Sequence, residues 1–400
     1  MLTIKDFEAA RERLRPVLEQ TRLIYSPWFS KECGNEIYIK PENLQKTGSF
    51  KIRGAYNKIA KLDDEKKAKG LVASSAGNHA QGVAYAAKES GVKATICMPK
   101  GTPLIKVEST RSYGAEVVLE GEVYDDAYQK ACELQQEFDY TFIHPFDDED
   151  VIEGQGTLAL EILEELPDAD ILLVPIGGGG LISGIAAAAK QIKPEISIIG
   201  VEPTGAASAS AALREDHVVC LPTANTIADG TAVKQIGEHT FDYIKQYVDG
   251  IVTVSDYELM EAFLLMVEKH KLIAENSGIL SLAATRKLSK KNKKIVCLVS
   301  GGNIDVKSIS SMINKGLVSR GRIFTFNVPL ANRPGQLEKI VAILADANAN
   351  IISLDHNLYK NLNEFNQVEL TVTVETNGEA HIRSLFDAFG KEHIYITRMR

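Results

Sequence analysis

Over the first three quarters of the chain, short apolar runs alternate with longer stretches of helical periodicity. The runs are GLVASS, KATICMP, AEVVLEG, ADILLVPIG, EISIIGVEP and KKIVCLVS; the stretches include NHAQGVAYAAKESG, LIKVESTRSYG, VYDDAYQKACELQQEF and LISGIAAAAKQIK. Short runs rich in Val and Ile fit strands buried on both faces. Their alternation with helices predicts an α/β fold of parallel sheets with right-handed crossovers. Ligands of such folds sit beyond the carboxyl ends of the strands. The stretch from Ile171 to Ala189 holds 19 residues without a charge, long enough for a membrane span. Pro175 and Gly177–Gly180 cut it into a strand and a helix, so no span is expected. The opening MLTIKDFEAARERLRP reads as a charged helix and not as a signal peptide.

The pattern changes near residue 320. Val306–Gly321 reads as a helix and a polar connection. RIFTFNVPL, NRPGQLEKIVAILADAN, ANIISLDHNLY, NEFNQVELTVTVET, GEAHIRSLFDAFGKE and HIYITRMR then read as strand, helix, strand, strand, helix, strand. That order is the ferredoxin-like βαββαβ motif. FNQVELTV partly alternates, as a strand with one covered face should. The predicted domains are therefore 1–318 and 322–400.

Composition narrows the class. The chain has 400 residues, 44% hydrophobic and 24% charged, with 30 Gly and 13 Pro. This is near the globular average and excludes a largely disordered, collagen-like or coiled-coil chain. A net charge of −8 argues against nucleic acid or an anionic membrane as partner. Cys33, Cys97, Cys132, Cys220 and Cys297 are scattered, with no Cys-x-x-Cys spacing. Neither a disulfide framework nor a zinc site is expected, and a reducing cytoplasm suits the pattern. The lysines at 287, 290, 291, 293 and 294 read as a solvated face and turn.

Three loops carry candidate chemistry. In IGGGGLISG, 176–184, four glycines between a strand and a helix leave backbone N–H groups open to an anion. Neither the dinucleotide nor the Walker spacing is met, so a single phosphate is the expected ligand. The alternative is a tight ligand-free turn, against which the entropic cost of four glycines argues. In SSAGNHAQG, 74–82, free N–H groups with Ser75 and Asn78 could hold a carboxylate, or serve ordinary capping. In SGGN, 300–303, Ser300 offers a hydroxyl at a strand end, where a cap or turn is the plainer reading. Lys51, in KTGSFKIRGAY, is flanked by Phe50 and Ile52. An apolar setting lowers an amine pKa and frees a Schiff-base nucleophile.

Eight motifs in order give these loops a common setting: PENLQKTGSFKIRGAYNKI, SSAGNHAQGVAYAA, FIHPFDD, GQGTLALEIL, PIGGGGLISG, GVEPTGAAS, DGTAVK and VSGGN. Together they resemble the fold-type II (tryptophan synthase β-like) pyridoxal-phosphate enzymes, most closely the threonine dehydratases (threonine ammonia-lyases), over about residues 1–318. The remainder resembles an ACT domain, with ANRPGQL at 331–337 matching its amino-acid-binding turn. The resemblance implies a two-lobed parallel-sheet catalytic domain, a C-terminal regulatory ACT domain and a cytoplasmic homotetramer. It implies pyridoxal 5'-phosphate as cofactor, linked to Lys51, with Phe50 beside it. Asn78 would meet its ring hydroxyl, Gly177, Gly178, Gly179, Gly180 and Leu181 its phosphate, and Ser300 its pyridine nitrogen. Ser75, Gly77, Asn78 and His79 would surround the substrate carboxylate, with Lys51 and Ser75 as catalytic residues. Asn332, Arg333, Pro334 and Gly335 would bind an amino-acid effector; isoleucine is the implied inhibitor, with valine or a purely structural ACT pair as alternatives.

The activity so implied is β-elimination of L-threonine to 2-oxobutanoate and ammonia, with serine as a side substrate. Two departures bear on the alternatives. Serine racemases of this fold carry a second serine in the carboxylate loop, where this chain has Ala76. They also carry an acidic residue where Ser208 stands, beside Glu202 and Ala206, so no metal ligand is assigned here. A third departure is AENSG in place of AEPSG, which puts Asn276 in the position of a proline next to Glu275. Serine dehydratase or racemase, and a non-catalytic amino-acid-sensing ACT protein, are the competing readings. Intact Lys51, Asn78, the glycine loop and Ser300 argue against the last.

Overall fold

The structure, a computed structural model, describes residues 1–357 and 367–399. Leu358 and Tyr359 of one predicted strand, residues 363–366 of the next, and Arg400 lie outside the described residues. The chain divides into two compact units, Met1–Asp305 and Val306–Arg400. The helix Val306–Ser319 falls in the second unit, whereas the sequence pattern put the division after it.

In the first unit the strands are β1 (Ile24–Tyr25), β2 (Glu36–Pro41), β3 (Leu71–Ser74), β4 (Ala94–Met98), β5 (Glu116–Leu119), β6 (Thr141–Phe142), β7 (Ile171–Pro175), β8 (Ser197–Pro203), β9 (Gly250–Val254) and β10 (Lys294–Val299). They form two sheets, ordered β1-β2-β10-β7-β8-β9 and β5-β4-β3-β6. Every pairing is parallel except β1 with β2, a two-residue antiparallel strand that closes the edge of the larger sheet. β3, β4 and β7 are buried along their whole length, which explains their unbroken apolar sequence.

The helix Gly180–Ile192 is buried from Gly180 through Ala189. A helix apolar on all sides can only be central. It packs against the helix Glu149–Glu165, and both share a core with Leu172, Val174, Ile198 and Val296 of the larger sheet. Ala80, Val83, Ala84 and Ala87 of the helix Asn78–Glu89 pack on Leu71, Ala73 and Ile96 of the smaller one. Each sheet thus has its own core, and the loops after the strands' carboxyl ends remain to build a site.

The second unit has strands β11 (Ile323–Ala331), β12 (Asn350–Asn357), β13 (Gln367–Glu375) and β14 (Thr397–Arg398). Their order is β12-β13-β11-β14, all antiparallel. With the helices Gln336–Asp346 and Glu379–Lys391 they make the predicted βαββαβ succession. β13 alternates buried and open residues, and its covered face packs on Ile340, Leu344, Ile382, Leu385 and Phe389. The last strand is shorter than HIYITRMR suggested: only Phe326 and Asn327 of β11 face it. His393, at φ 58°, turns the chain after the preceding helix and delays the pairing.

Candidate active site

The polypeptide leaves β3, β7 and β10 at their carboxyl ends into the three loops singled out above. All three open onto one cavity of about 1100 Å³. Phe50, Lys51, Ser75, Gly77, Asn78, His79, Gly177–Gly180, Leu181 and Ser300 all line it. Asn332–Gly335 lie in the second unit, in an exposed turn between β11 and the helix Gln336–Asp346, which Gly335 caps at φ 87°.

Lys51 begins the helix Lys51–Ala60. Backbone bonds fix its approach: Phe50 N–H donates to Ser300 O at 3.1 Å, and Gly302 N–H donates to Gly48 O at 2.8 Å. Its ammonium donates to Pro145 O at 2.6 Å. Burial pulls the Lys51 amine down to about 8, against the opposing pull of Glu275. Phe50 flanks the amine, its ring centre 5.3 Å away. The lowered basicity comes from burial in the folded chain, whatever the share of the flanking Phe50 and Ile52.

The glycine loop is compact for steric reasons. Gly179 has φ 100°, a left-handed conformation that side chains resist. A methyl on Gly178 would stand 2.3 Å from the ring of Phe146. Thr240 Oγ1 donates to Gly178 O at 2.8 Å and pins the loop. The first N–H groups of the helix starting at Gly180 have no partner within that helix, so they are open to an anion.

In the carboxylate loop, Gly77 N–H donates to Ser75 Oγ at 3.2 Å, so part of this loop is ordinary turn chemistry. His79 is buried, with Nε2 2.8 Å from Ile143 O. Burial, with Lys51 nearby, pulls it down to about 3, so the ring is neutral and Nε2 is the donor. Sequence reasoning did not single out His144, Pro145 or Phe146 as individual site residues, although FIHPFDD contained them. His144 Nδ1 accepts from Asp147 N–H at 2.8 Å and shapes the loop that presents Pro145 O to Lys51. Gln155, within the motif GQGTLALEIL but not singled out, also lines the cavity, as do Tyr124 and Tyr128, which no local sequence signal marks.

Glu275 is buried on the wall and accepts from Asn78 Nδ2 at 2.6 Å. Burial and Asp229 push it up to about 7. Glu202 lies elsewhere: its carboxylate accepts from Ala209 N–H, Ser210 N–H and Ser210 Oγ, at 2.7, 2.9 and 2.6 Å. That set caps the helix Ser208–Glu215.

The wall fits a phosphate-bearing aldehyde. It offers a nucleophilic amine, an anion cradle across the cavity, and two buried polar atoms, Gln155 Oε1 and Ser277 Oγ, without partners among the described residues. Parallel sheets, a buried lysine of lowered basicity and a glycine loop with N–H groups open to an anion are features that fit a pyridoxal-phosphate enzyme. The chain belongs to the family described as "Pyridoxal-phosphate dependent enzyme", which matches residues 14–301. It is 45% identical over 386 residues to the L-threonine ammonia-lyase of Thermotoga maritima, covering 96% of both chains. Among solved structures it is similar to threonine deaminase isoform 2 of Solanum lycopersicum, with TM-score 0.75 and 38% identity over 78% of this chain and 92% of that one. It is also similar to maize serine racemase, with TM-score 0.75 and 37% identity over 79% and 98%. No helix among the described residues is long and apolar enough to cross a membrane.

Proposed function

We infer that the chain is a pyridoxal-phosphate-dependent threonine ammonia-lyase, which converts L-threonine to 2-oxobutanoate and ammonia. The observation that carries the reading is the convergence of Lys51, the glycine loop and Ser300 on one cavity. Similarity along 96% of the chain to a threonine ammonia-lyase supports the same substrate. Bound pyridoxal phosphate supplies a sink for the electron pair left when the Cα–H bond breaks.

This chain's residues do the rest. Gly177–Leu181 hold the phosphate through backbone N–H groups. Ser75, Gly77, Asn78 and His79 take the substrate carboxylate, while the neutral ring of His79 is itself held on Ile143 O. Lys51 Nζ, which burial pulls down to about 8, accepts the Cα proton in its free-amine form. The β-hydroxyl takes up one proton to leave as water, which balances the proton lost from Cα; a water returns and ammonia departs, so the net balance is threonine to 2-oxobutanoate plus ammonia. Ala76 on the wall lacks a hydroxyl, which argues for lyase over racemase chemistry.

Ser300 is buried at the end of β10 and stands at the ring nitrogen in this reading. A hydroxyl does not keep that nitrogen protonated as a carboxylate would, and this favours prompt elimination. Ser300→Asp is expected to divert turnover toward transamination, scored as pyridoxamine phosphate formed per 2-oxobutanoate. An unchanged ratio would refute the assignment. For the phosphate, Gly178→Ala is expected to weaken cofactor binding by ~10- to 100-fold, the equivalent of a typical overpacking penalty. Titration of the apo-protein with pyridoxal phosphate measures this, and an unaltered dissociation constant would remove Gly178 from the cradle.

The second unit serves regulation in this reading. The turn Asn332–Gly335 leads into the helix Gln336–Asp346; Pro334 has no N–H and Arg333 N–H donates to Ala331 O, so the open N–H groups of that helix's first turn are the ones left for an amino-acid effector, isoleucine before valine. The working form is a cytoplasmic homotetramer; five free cysteines suit a reducing compartment. The deciding assay follows 2-oxo acid from L-threonine, with L-serine and added isoleucine in parallel. Product from threonine establishes the lyase. Turnover of serine alone moves the assignment to serine dehydratase.

A further inference from the structure

Asn303 is absent from the cavity wall, yet it touches a residue that is on it. We infer that Asn303 is a positioning residue, which fixes the side-chain amide of Asn78 so that an N–H, and not the carbonyl oxygen, faces the cavity.

Hydrogen-bond polarity sets the orientation of both amides. Asn303 Nδ2 has two hydrogens and two acceptors, Thr47 O at 2.8 Å and Asn78 Oδ1 at 2.8 Å. Thr47 O is a backbone carbonyl and can only accept. Asn303 therefore cannot turn over, and it obliges Asn78 to offer Oδ1 to it. Asn78 Nδ2 then points the other way. One of its hydrogens goes to Glu275 Oε1 at 2.6 Å, and the second remains for the cavity. Turning Asn78 over would set its oxygen against the Glu275 carboxylate and its N–H groups against those of Asn303.

Glu275 alone could not set this polarity. Its burial pushes it up to about 7, so part of the time it is a donor. The Thr47 carbonyl, acting through Asn303, cannot change sign in this way. Gly48 makes room for the arrangement: it has φ 69°, and a Cβ there would lie 2.4 Å from Asn303 Oδ1. The loops that carry Gly48 and Asn303 are also joined by backbone bonds, Gly302 N–H to Gly48 O at 2.8 Å and Phe50 N–H to Ser300 O at 3.1 Å. The Asn303 side chain is thus not what holds the two loops together.

The inference rests on the reading of Asn78 as partner of the cofactor's ring hydroxyl. An N–H donated there favours the ionised ring oxygen; a carbonyl would repel it. The test uses the full-length protein, with pyridoxal phosphate titrated into the apo-form of Asn303→Asp, Asn303→Ala, Asn78→Ala and the Asn78→Ala/Asn303→Ala double variant. The readouts are the dissociation constant and the absorption band of the loaded protein as a function of pH. Asn303→Asp keeps the shape but removes both donors, so Asn78 turns over. It is expected to bind the cofactor ~10-fold or more weakly, as for loss of a charge-assisted hydrogen bond, with a shifted band. Asn303→Ala should shift the band in the same direction by less, and add nothing in the Asn78→Ala background. If Asn78→Ala moves both readouts and the Asn303 variants move neither, the positioning role is refuted and the reading of Asn78 stands. An Asn303→Ala effect that persists without Asn78 also refutes it, as a structural effect. If Asn78→Ala itself moves nothing, the reading of Asn78 fails and this inference with it.

Discussion

Lys51→Ala is expected to lower 2-oxobutanoate formation by ~10³-fold or more, because one amine serves as both covalent anchor and proton acceptor. The fold should survive. Alanine suits the first turn of a helix, and the ion pairs of the Lys51–Ala60 helix belong to other residues. The variant should still bind pyridoxal phosphate through the glycine loop, but borohydride reduction should leave nothing covalently attached. The wild-type amine gives a second handle. At a pKa of about 8 it is protonated below that pH and free above it. Uptake of the cofactor aldehyde by apo-protein should therefore fall about tenfold per pH unit on the acid side and level off on the alkaline side. A lysine of ordinary basicity, near 10.4, would show a rate still rising well past pH 9. Retention of covalent cofactor or of full turnover in Lys51→Ala would end the assignment.

Arg53→Ala is expected to destabilise the first unit by about 3–5 kcal/mol, the usual cost of removing one partner from a buried ion pair. Arg53 is fully buried, as are Glu42 and Lys40. Its guanidinium donates to Glu42 at 2.8 and 2.9 Å and to Glu161 at 2.6 and 3.0 Å. Lys40 Nζ donates to Glu161 at 2.6 Å, and Thr21 Oγ1 to Glu42 at 2.5 Å. Burial works against the guanidinium charge, but Glu42 and Glu161 more than reverse that and raise its basicity. Without Arg53, the Glu42 carboxylate loses its cation while remaining out of water. Chemical denaturation should show the loss as a lower midpoint. Arg53→Lys should recover little, since a single ammonium cannot span both carboxylates. Because Arg53 is two residues from Lys51, cofactor retention should fall in parallel. A loss below about 1 kcal/mol would show that water or a local shift compensates the unpaired carboxylates.

Much of the fold was legible because each strand reports its own environment. β3, β4 and β7 lie between packed layers, so their runs are unbroken; β13 has one open face, so it alternates. The glycine loop was legible for a related reason, since four small residues between strand and helix leave the backbone exposed wherever the loop lies. Other features gave no local signal. β1 is two residues long, too short to carry a period, and its antiparallel pairing depends on β2 alone. Tyr124 and Tyr128 reach the cavity because of how their helix is placed, not because of their neighbours in sequence.

The sequence by itself determined the succession of elements, the three loops and the lysine, because period, glycine content and apolar flanks act over a few residues. Only the tertiary structure decided which of these meet. It joined KTGSF to SGGN through Gly48, Ser300 and Asn303, set Glu275 against Asn78, and turned Pro145 O toward Lys51. It also set the basicity of Lys51 and the neutrality of His79. Desolvation and hydrogen-bond direction depend on groups scores of residues apart, which only the packed chain brings within a few ångströms.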